Sequence, residues 1–345
     1  MFQYILGANY LAMCTEAIDI EVLEDAIGNG RSAIYSPLSV LNSLMVLGYA
    51  ADEDIVEEFL RMCGGEIKIP ELGESKGICV VGNSVWINEK FKDEVSKEYI
   101  AKIFPMVKLF VADFSKVGEL MNDWVTTESK GMIRRVNVDV PKEAACVISN
   151  MIYFKCDWRM KFPVEGTYDG EFSGGKGKSG VRMMREDVRN CGYMSNHGLR
   201  AIELPYENKE FSMIVAMDDR AVVPLTKSMV DKISKLMSPE STVEVHLPRF
   251  EAESEINVGE LLKKKFPNIF GASYGKISKD FSPGMIYQKA KIVVDEAGTE
   301  AAAATMVFSN GGHVTPIFIA NRTFSYCIVY KPLMLILFTG IFSGV

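Results

Sequence analysis

Histidines and glycine-rich segments are the parts of this chain whose chemistry could support an enzyme. The three histidines, His197, His246 and His313, are far apart, and none has a second histidine or a glutamate at metal-binding spacing. The stretch Gly174–Ser179 lacks the first glycine of a phosphate-binding loop, and no Gly-x-Ser-x-Gly elbow occurs. The sequence therefore predicts no catalytic residue, no metal site, no cofactor and no enzymatic activity.

Cysteine usage, charge and hydropathy restrict the compartment and the partners. The seven cysteines are odd in number and form no Cys-x-x-Cys pair, which is typical of reduced thiols. A net charge of −7 gives no general attraction to nucleic acid or to acidic membranes. Met1–Cys14 has no basic residue of a signal peptide, and the apolar run Leu333–Val345 is too short to span a bilayer. We therefore expect a cytoplasmic protein that binds neither nucleic acid nor membrane; secretion without a recognisable signal is the alternative.

The most unusual segment of the chain is rich in small residues and lies between two strand-like runs. It extends from Ala297 to Thr315 and includes four consecutive alanines, Ala301–Ala304, which by themselves favour a helix. Thr299 and the pair Gly311-Gly312 argue against a stable helix. No proline interrupts the segment, so every residue could donate an N–H within a sheet. Two interpretations stay open: a flexible surface loop, or a segment able to enter a sheet as an interior strand.

Hydrophobic periodicity predicts an α+β architecture in a single domain over residues 1–345. A helix over Pro37–Ala51 begins after the capping residue Ser36. The apolar run Ala145–Phe154 predicts a strand buried on both faces. Further helices are predicted over Asp54–Met62, Lys92–Phe104, Val117–Ser129, Thr226–Met237 and Val258–Phe266. Further strands are predicted over Gly77–Ile87, Met106–Val111, Leu199–Leu204, Phe211–Met217, Thr242–Phe250, Tyr287–Asp295, Phe324–Tyr330 and Leu335–Phe342.

Several motifs, occurring in order along nearly the whole chain, resemble those of the serpin family. The run Asp295-Glu296-x-Gly298-Thr299-Glu300, followed by the four alanines, is similar to the hinge of an inhibitory serpin. The other motifs are Ser36-Pro37-Leu38-Ser39, Asn122-x-Trp124-Val125, Asn150-Met-Ile-Tyr153-Phe154-Lys155-x-x-Trp158, Val181-x-Met183-Met184, Glu203-Leu204-Pro205-Tyr206 and Leu247-Pro248-Arg249-Phe250. The resemblance implies a fold of three β-sheets with about eight or nine helices. It also implies an exposed reactive-centre loop over about residues 297–315.

The resemblance implies roles for three groups of residues. The hinge comprises Glu296, Gly298, Thr299, Glu300, Ala301, Ala302, Ala303 and Ala304. The shutter, a polar cluster beneath the centre of the main sheet, comprises Ser36, Ser39, Asn150 and Gln288. The family usually has histidine at the Gln288 position; glutamine can satisfy the network but does not titrate. The breach, where the hinge first enters the sheet, comprises Trp158 and Arg249, with Arg249 expected to pair with Glu296 at a partly exposed site.

The function implied by the resemblance is inhibition of a serine or cysteine endopeptidase. The protease forms a covalent complex with the loop, and the cleaved loop then inserts into the main sheet, so that the inhibitor acts as a suicide substrate. The family pattern places the reactive bond at Gly312-His313, and Phe308-Ser309 is the alternative. The protein is expected to be a monomer that can form loop-sheet polymers. The alternative function is that of a serpin-fold binding or chaperone protein without inhibitory activity.

Overall fold

The structure is a computed structural model, in which residues 19–52, 55, 79–136, 139–271, 273–279, 281, 286–299 and 315–344 are described. Six helices have complete bounds in this part: α1 (Pro37–Ala50), α2 (Lys97–Ile103), α3 (Val117–Glu128), α4 (Lys227–Leu236), α5 (Val258–Lys265) and α6 (Pro267–Phe270). Residues 19–28 are also helical. Of these helices, none is both long and apolar enough to cross a membrane. The expected total of eight or nine helices stays a prediction.

Sixteen strands lie within the described residues. The first eight are β1 (Ala33–Tyr35), β2 (Cys79–Asn88), β3 (Lys108–Ala112), β4 (Cys146–Phe154), β5 (Cys156–Asp157), β6 (Tyr168–Gly174), β7 (Gly177–Asn196) and β8 (Leu199–Pro205). The others are β9 (Phe211–Asp218), β10 (Ser238–Pro248), β11 (Phe250–Asn257), β12 (Ile286–Val294), β13 (Gly298–Thr299), β14 (Ile317–Ile319), β15 (Phe324–Tyr330) and β16 (Leu335–Phe342).

Five strands form the sheet that carries the candidate site, called here the main sheet, in the order β11-β12-β4-β2-β3. At its centre β12 runs parallel to β4 from the pair Ile286–Ile148 to the pair Lys291–Tyr153. We call this parallel pairing the central seam. Both outer neighbours are antiparallel and longer, since eight pairs join β11 to β12 and nine pairs join β2 to β4. The central seam, with six pairs, is therefore the shortest of these three joints.

Helices cover both faces of the main sheet near the central seam. On one face, Trp124 of α3 meets Trp86 of β2 edge to face, with ring centroids 6.4 Å apart. On the other face, α1 contacts β4 and is buried on nearly every side. A helix that is apolar all round is expected to lie inside a protein. This double cover explains why all nine residues of β4 are buried, as the apolar run in the sequence predicted.

The described strands form three sheets, the number that the resemblance implied, and the second of them is the largest. Nine strands form one sheet in the order β1-β16-β15-β9-β8-β7-β10-β14, with β6 attached to β7. The reason is β7, whose 20 residues pair with β6 and β10 along one part and with β8 along another. The remaining pair, β13 with β5, is a two-stranded sheet. The described strands thus form one large, one medium and one very small sheet.

Two boundary predictions were wrong. The strand predicted over Thr242–Phe250 is two strands, because the chain leaves the nine-stranded sheet after Pro248 and enters the main sheet at Phe250. Both strands are apolar at this junction, so the pattern continues across the break. The helix predicted from Lys92 begins at Lys97, after a short turn. The helix predicted over Asp54–Met62 lies outside the described residues except for residue 55.

Candidate functional site

The start of the predicted hinge is already paired as a strand. Gly298 lies opposite Asp157 and Thr299 lies opposite Cys156, in an antiparallel pair between β13 and β5. Because β5 follows β4 after one residue, the chain passing from Gly298 to Thr299 runs back toward β4. The remaining hinge and reactive-bond residues lie outside the described part of the chain: Glu300, Ala301, Ala302, Ala303, Ala304, Phe308, Ser309, Gly312 and His313.

A tight turn joins β12 to β13 and requires glycine at its end. The Asp295 carboxylate accepts hydrogen bonds from the backbone N–H groups of Ala297, at 3.0 Å, and Gly298, at 3.3 Å. Gly298 has a φ of 152°, and a Cβ atom there would lie 2.3 Å from the carbonyl oxygen of Cys156. Only glycine combines this backbone conformation with so close an approach to a neighbouring strand. The turn therefore depends on Gly298.

Trp158 holds this turn from the side of β5. Its indole Nε1 donates to the carbonyl oxygen of Asp295 at 3.0 Å, and its backbone N–H donates to that of Ala297 at 2.8 Å. The indole is buried and stacks on Tyr206, with centroids 4.6 Å apart and planes 7° apart. The expected breach tryptophan thus contacts the turn in which the hinge begins.

Glu296, expected at a partly exposed site, is buried, with 3% of its surface exposed. Its carboxylate accepts a hydrogen bond from Nε of Arg249 at 2.5 Å and one from the hydroxyl of Thr167 at 2.6 Å. Burial acts to raise the pKa of Glu296, but the hydrogen bonds from Arg249 and Thr167 outweigh it and lower the pKa below its ordinary value. Glu296 is therefore ionised at neutral pH. Thr167 was missed because it lies 129 residues from Glu296 in sequence.

Three of the four expected shutter residues are joined by hydrogen bonds. The Gln288 amide accepts from the backbone N–H of Ser36 at 2.9 Å and donates to the carbonyl oxygen of Ser36 at 2.8 Å. The Ser36 hydroxyl accepts from the backbone N–H of Ser39 at 3.2 Å, which caps α1. Gln288 is 1% exposed, so these two bonds give its buried amide partners inside the protein. The glutamine thus ties β12 to the start of α1.

Asn150, the fourth expected shutter residue, makes a different contact. It lies beside Gln288 across the central seam, but its Nδ2 donates to Oδ1 of Asn83 on β2. Its own Oδ1 is buried and has no hydrogen-bond partner among the described residues. Asn83 was missed because it lies 67 residues from Asn150 in sequence. In the described contacts, Gln288 is bonded to Ser36 and Asn150 to Asn83, so these two side chains form no hydrogen bond across the central seam.

The described residues offer no group of three histidine, cysteine or acidic side chains able to hold a metal. Four buried cysteines are free: Cys146, Cys156, Cys191 and Cys327. Burial raises the pKa of Cys146 to about 12 and that of Cys191 to about 11. These two thiols are therefore protonated at neutral pH and poor nucleophiles.

Comparison with protein families and curated proteins gives one consistent match. The family model described as "Serpin (serine protease inhibitor)" matches residues 23–344. Antitrypsin of Bombyx mori is 30% identical, with 91% of this chain and 88% of that protein covered. Glia-derived nexin of Mus musculus is 31% identical, with 77% of this chain and 73% of that protein covered.

Comparison with solved structures gives the same fold. The thermophilic serpin tengpin in its native state matches with a TM-score of 0.79 at 21% identity, covering 100% of this chain and 94% of that chain. Human thyroxine-binding globulin matches with a TM-score of 0.80 at 18% identity, covering 99% of this chain and 98% of that chain. Identities this low show the fold alone.

Proposed function

This chain belongs to the serpin family, and we propose that it inhibits an endopeptidase by acting as a suicide substrate whose cleaved loop inserts into the main sheet. The pairing of β13 with β5 carries this proposal. It directs the chain after Thr299 toward β4, at the end of the sheet where the central seam stops at Lys291 and Tyr153. The new strand would part β4 from β12. The relative named antitrypsin supports a protease as the partner.

Extension of the β13–β5 register predicts where the inserted residues would lie. Without a shift, Ala301 would face Phe154, Ala303 would face Ile152 and Thr305 would face Asn150. Phe154 and Ile152 are fully buried, so small side chains are needed beside them. Thr305 would then lie opposite Asn150, whose Oδ1 is buried and has no hydrogen-bond partner among the described residues. Burial of that atom without a partner costs free energy that insertion would recover.

The covalent step uses the catalytic residues of the protease and none of this chain. The protease nucleophile attacks a loop carbonyl carbon, the peptide C–N bond breaks, and the new amino terminus leaves after it accepts a proton. The product is an ester with a serine protease or a thioester with a cysteine protease. Insertion before water reaches this bond would trap the complex. The uncut protein would then persist because a barrier separates it from the more stable inserted form.

A panel of serine and cysteine endopeptidases tests this proposal. Since no lysine or arginine occurs between Lys291 and Arg322, we expect elastase-like or chymotrypsin-like enzymes to react rather than trypsin-like ones. The expected product is a complex that survives boiling in SDS. A protease whose active site is chemically blocked should give no such band. If every active protease cuts the loop cleanly without a complex, the inhibitory proposal is wrong.

The reactive bond is predicted between Asn310 and Val314, with Gly312-His313 as the leading choice. At about 3.3 Å per residue, the thirteen steps from Thr299 to Gly312 span roughly 43 Å, and the nine steps to Phe308 only about 30 Å. In the extended register, Phe308 would stop at Val147, still inside β4, while Gly312 would pass the strand's end.

Mass spectrometry of the peptide released from the complex identifies this bond. We expect a fragment that begins at His313. A fragment that begins at Ser309 within a stable complex would make Phe308 the specificity residue. A catalytically inactive protease serves as the control and should release no peptide.

The shutter residue Asn150 gives a further prediction. Asn150→Ala removes the donor to Asn83 and should cost roughly 1–3 kcal/mol of unfolding free energy. Because Asn150 borders the central seam, the variant should also form polymers on mild heating, measured by size-exclusion chromatography.

The matched control is Asn88→Ala, on the same strand as Asn83. The Asn88 side chain donates to the carbonyl oxygens of Lys142 and Ala144, away from the seam. This control should lose stability but stay monomeric. If Asn150→Ala keeps the wild-type melting temperature and stays monomeric, Asn150 is an ordinary strand residue.

A serpin-fold binding protein without inhibitory activity is the second candidate. Glycine at position 312 offers a protease no side chain for its specificity pocket, which favours this candidate. A solvent-open cavity of about 350 Å³ near the end of α4 could hold a small ligand, and its lining includes Arg159, Glu203, Met237 and Lys331. The fold neighbour thyroxine-binding globulin is named for its ligand. Absence of any protease complex, together with an unchanged melting temperature after cleavage, would favour this candidate.

A further inference from the structure

Two consecutive residues, Thr167 and Tyr168, are linked to the two ends of the predicted loop, Thr167 directly to the proximal base at Glu296 and Tyr168 through His246 to the distal base at β14. The Thr167 hydroxyl donates to the carboxylate of Glu296, the first hinge residue, at 2.6 Å. The Tyr168 hydroxyl is 2.6 Å from Nδ1 of His246, and His246 pairs with Ile319 of β14, the strand that follows the loop. We call Thr167–Tyr168 the strap.

The distal base of the loop is weakly attached by its backbone. β14 is a three-residue edge strand that pairs only with β10 in the described sheet. The described backbone hydrogen bonds at its ends are from Glu244 N–H to Pro316 at 2.9 Å and from Ala320 N–H to His246 at 2.8 Å. So short an edge strand has little stability of its own. Apart from the burial of Phe318 at its centre, its attachment depends on how firmly β10, which pairs there with β7, is held at Glu244 and His246.

Side chains hold β10 at these two residues. Nε2 of His246 is 3.0 Å from Oε1 of Glu244, and Arg185 forms an ion pair with the same oxygen at 2.6 Å. In a neutral imidazole, one nitrogen donates and the other accepts, so His246 can donate to Glu244 and accept from Tyr168. His246 is only 9% exposed, so each nitrogen depends on these partners. Tyr168 and Glu244 are thus the partners of the two imidazole nitrogens.

The strap itself is fixed to β7. Nη2 of Arg182 donates to the carbonyl oxygen of Thr167 at 3.2 Å, and Nη1 pairs with the Asp169 carboxylate at 2.8 Å. Tyr168 also begins β6 and pairs with Met183 of β7. The two strap hydroxyls therefore keep a fixed spacing, one toward each base of the loop.

We propose that Tyr168 is a positioning residue that holds β14 on β10 through His246, and that with Thr167 it fixes the two bases of the loop relative to each other. Thr167 acts on the proximal base and Tyr168 on the distal base. The inference that this spacing presents the loop to a protease rests on the proposed inhibitory function. The attachment of β14 through Tyr168 does not.

Hydrogen–deuterium exchange of the Tyr168→Phe variant tests the attachment. Loss of one hydrogen bond should speed exchange in peptides covering residues 316–320 about two- to tenfold. Exchange in residues 294–298 should stay at the wild-type rate. Thr167→Val should give the reverse pattern, since its hydroxyl contacts Glu296. Tyr193→Phe, which deletes a tyrosine hydroxyl on β7 and not on β6, is the matched control and should change neither region.

Variants at His246 test whether Tyr168 acts through it. His246→Gln keeps a donor and an acceptor and should exchange almost as the wild type does. His246→Phe loses the bonds to both Tyr168 and Glu244, so it should exchange at least as fast as Tyr168→Phe. The double variant Tyr168→Phe/His246→Phe should exchange no faster than His246→Phe alone. Unchanged exchange of residues 316–320 in Tyr168→Phe would overturn the proposal, and so would a uniform increase across the whole chain.

Inhibition kinetics separate this inference from the proposed function. If the wild type traps a protease, Tyr168→Phe should lower the association rate while the number of inhibitors consumed per protease stays the same. If the wild type traps no protease, the proposed function fails, but the exchange experiment still decides the role of Tyr168. If the wild type inhibits and Tyr168→Phe matches it in exchange and in rate, the inference about Tyr168 fails alone.

Discussion

Cleavage of the chain between residues 305 and 315 should raise its melting temperature by about 20 °C. Insertion would add a central strand of about ten residues, each worth roughly 1 kcal/mol in net ladder hydrogen bonding. In a domain larger than 150 residues, each kcal/mol shifts the melting temperature by about 2 °C. Differential scanning calorimetry before and after cleavage measures the shift.

The position of the cut supplies a control for this prediction. A cut at Phe308 leaves a shorter segment to insert than a cut at Gly312, so it should give a smaller rise. Uncut protein held under the same conditions should keep its original melting temperature. If the melting temperature is unchanged after complete cleavage, as verified by mass spectrometry, the loop does not insert in this protein.

Elements with strong local signals could be predicted from the sequence. Helix α1 begins where Ser36 and Pro37 predicted, because a capping hydroxyl and an N-terminal proline act within one turn. Strand β4 follows its continuous apolar run, since burial on both faces leaves no place for a polar alternation. In both elements the sequence signal lies within a few consecutive residues.

The long strand β7 could not be predicted in this way. It spans Gly177–Asn196 and carries charged residues along its exposed face, with a glycine-rich turn before it. Its buried positions alternate irregularly, because it changes partners from β6 and β10 to β8 along its length. Hydrophobic periodicity identifies a strand that buries one face against a single core. It does not identify a strand whose buried positions change as its partners change.

Apart from the Arg249–Glu296 pair, which the resemblance implied, the polar contacts of the site were also beyond sequence reasoning. Gln288 and Ser36 are 252 residues apart, and Glu296 and Thr167 are 129 residues apart. Family resemblance selected Gln288, Ser36 and Glu296, because their motifs are short and ordered. It could not identify Asn83 or Thr167, whose roles depend on which strands lie side by side.

Thr299→Arg should convert an inhibitor into a substrate that the protease cleaves and releases. Thr299 is opposite Cys156, which is buried, at the point where the chain turns toward the central seam. An arginine carried into the sheet there would bury its charge, which costs at least several kcal/mol unless it is paired. Insertion would then be slower than hydrolysis of the acyl-enzyme. The measurement is the number of inhibitor molecules consumed per protease trapped, which should rise at least about tenfold, since 1.4 kcal/mol of barrier corresponds to a factor of ten.

Two variants of the same loop control for effects unrelated to insertion. Thr299→Ser keeps a small polar side chain and should retain the wild-type stoichiometry. Thr315→Arg introduces the same charge beyond the predicted reactive bond, on the side that would not insert, so it should form the complex as well. A Thr299→Arg variant that traps protease at the wild-type stoichiometry would show that insertion does not begin at Thr299. If Thr315→Arg alone lost the complex, the arginine would be acting on protease recognition and not on insertion.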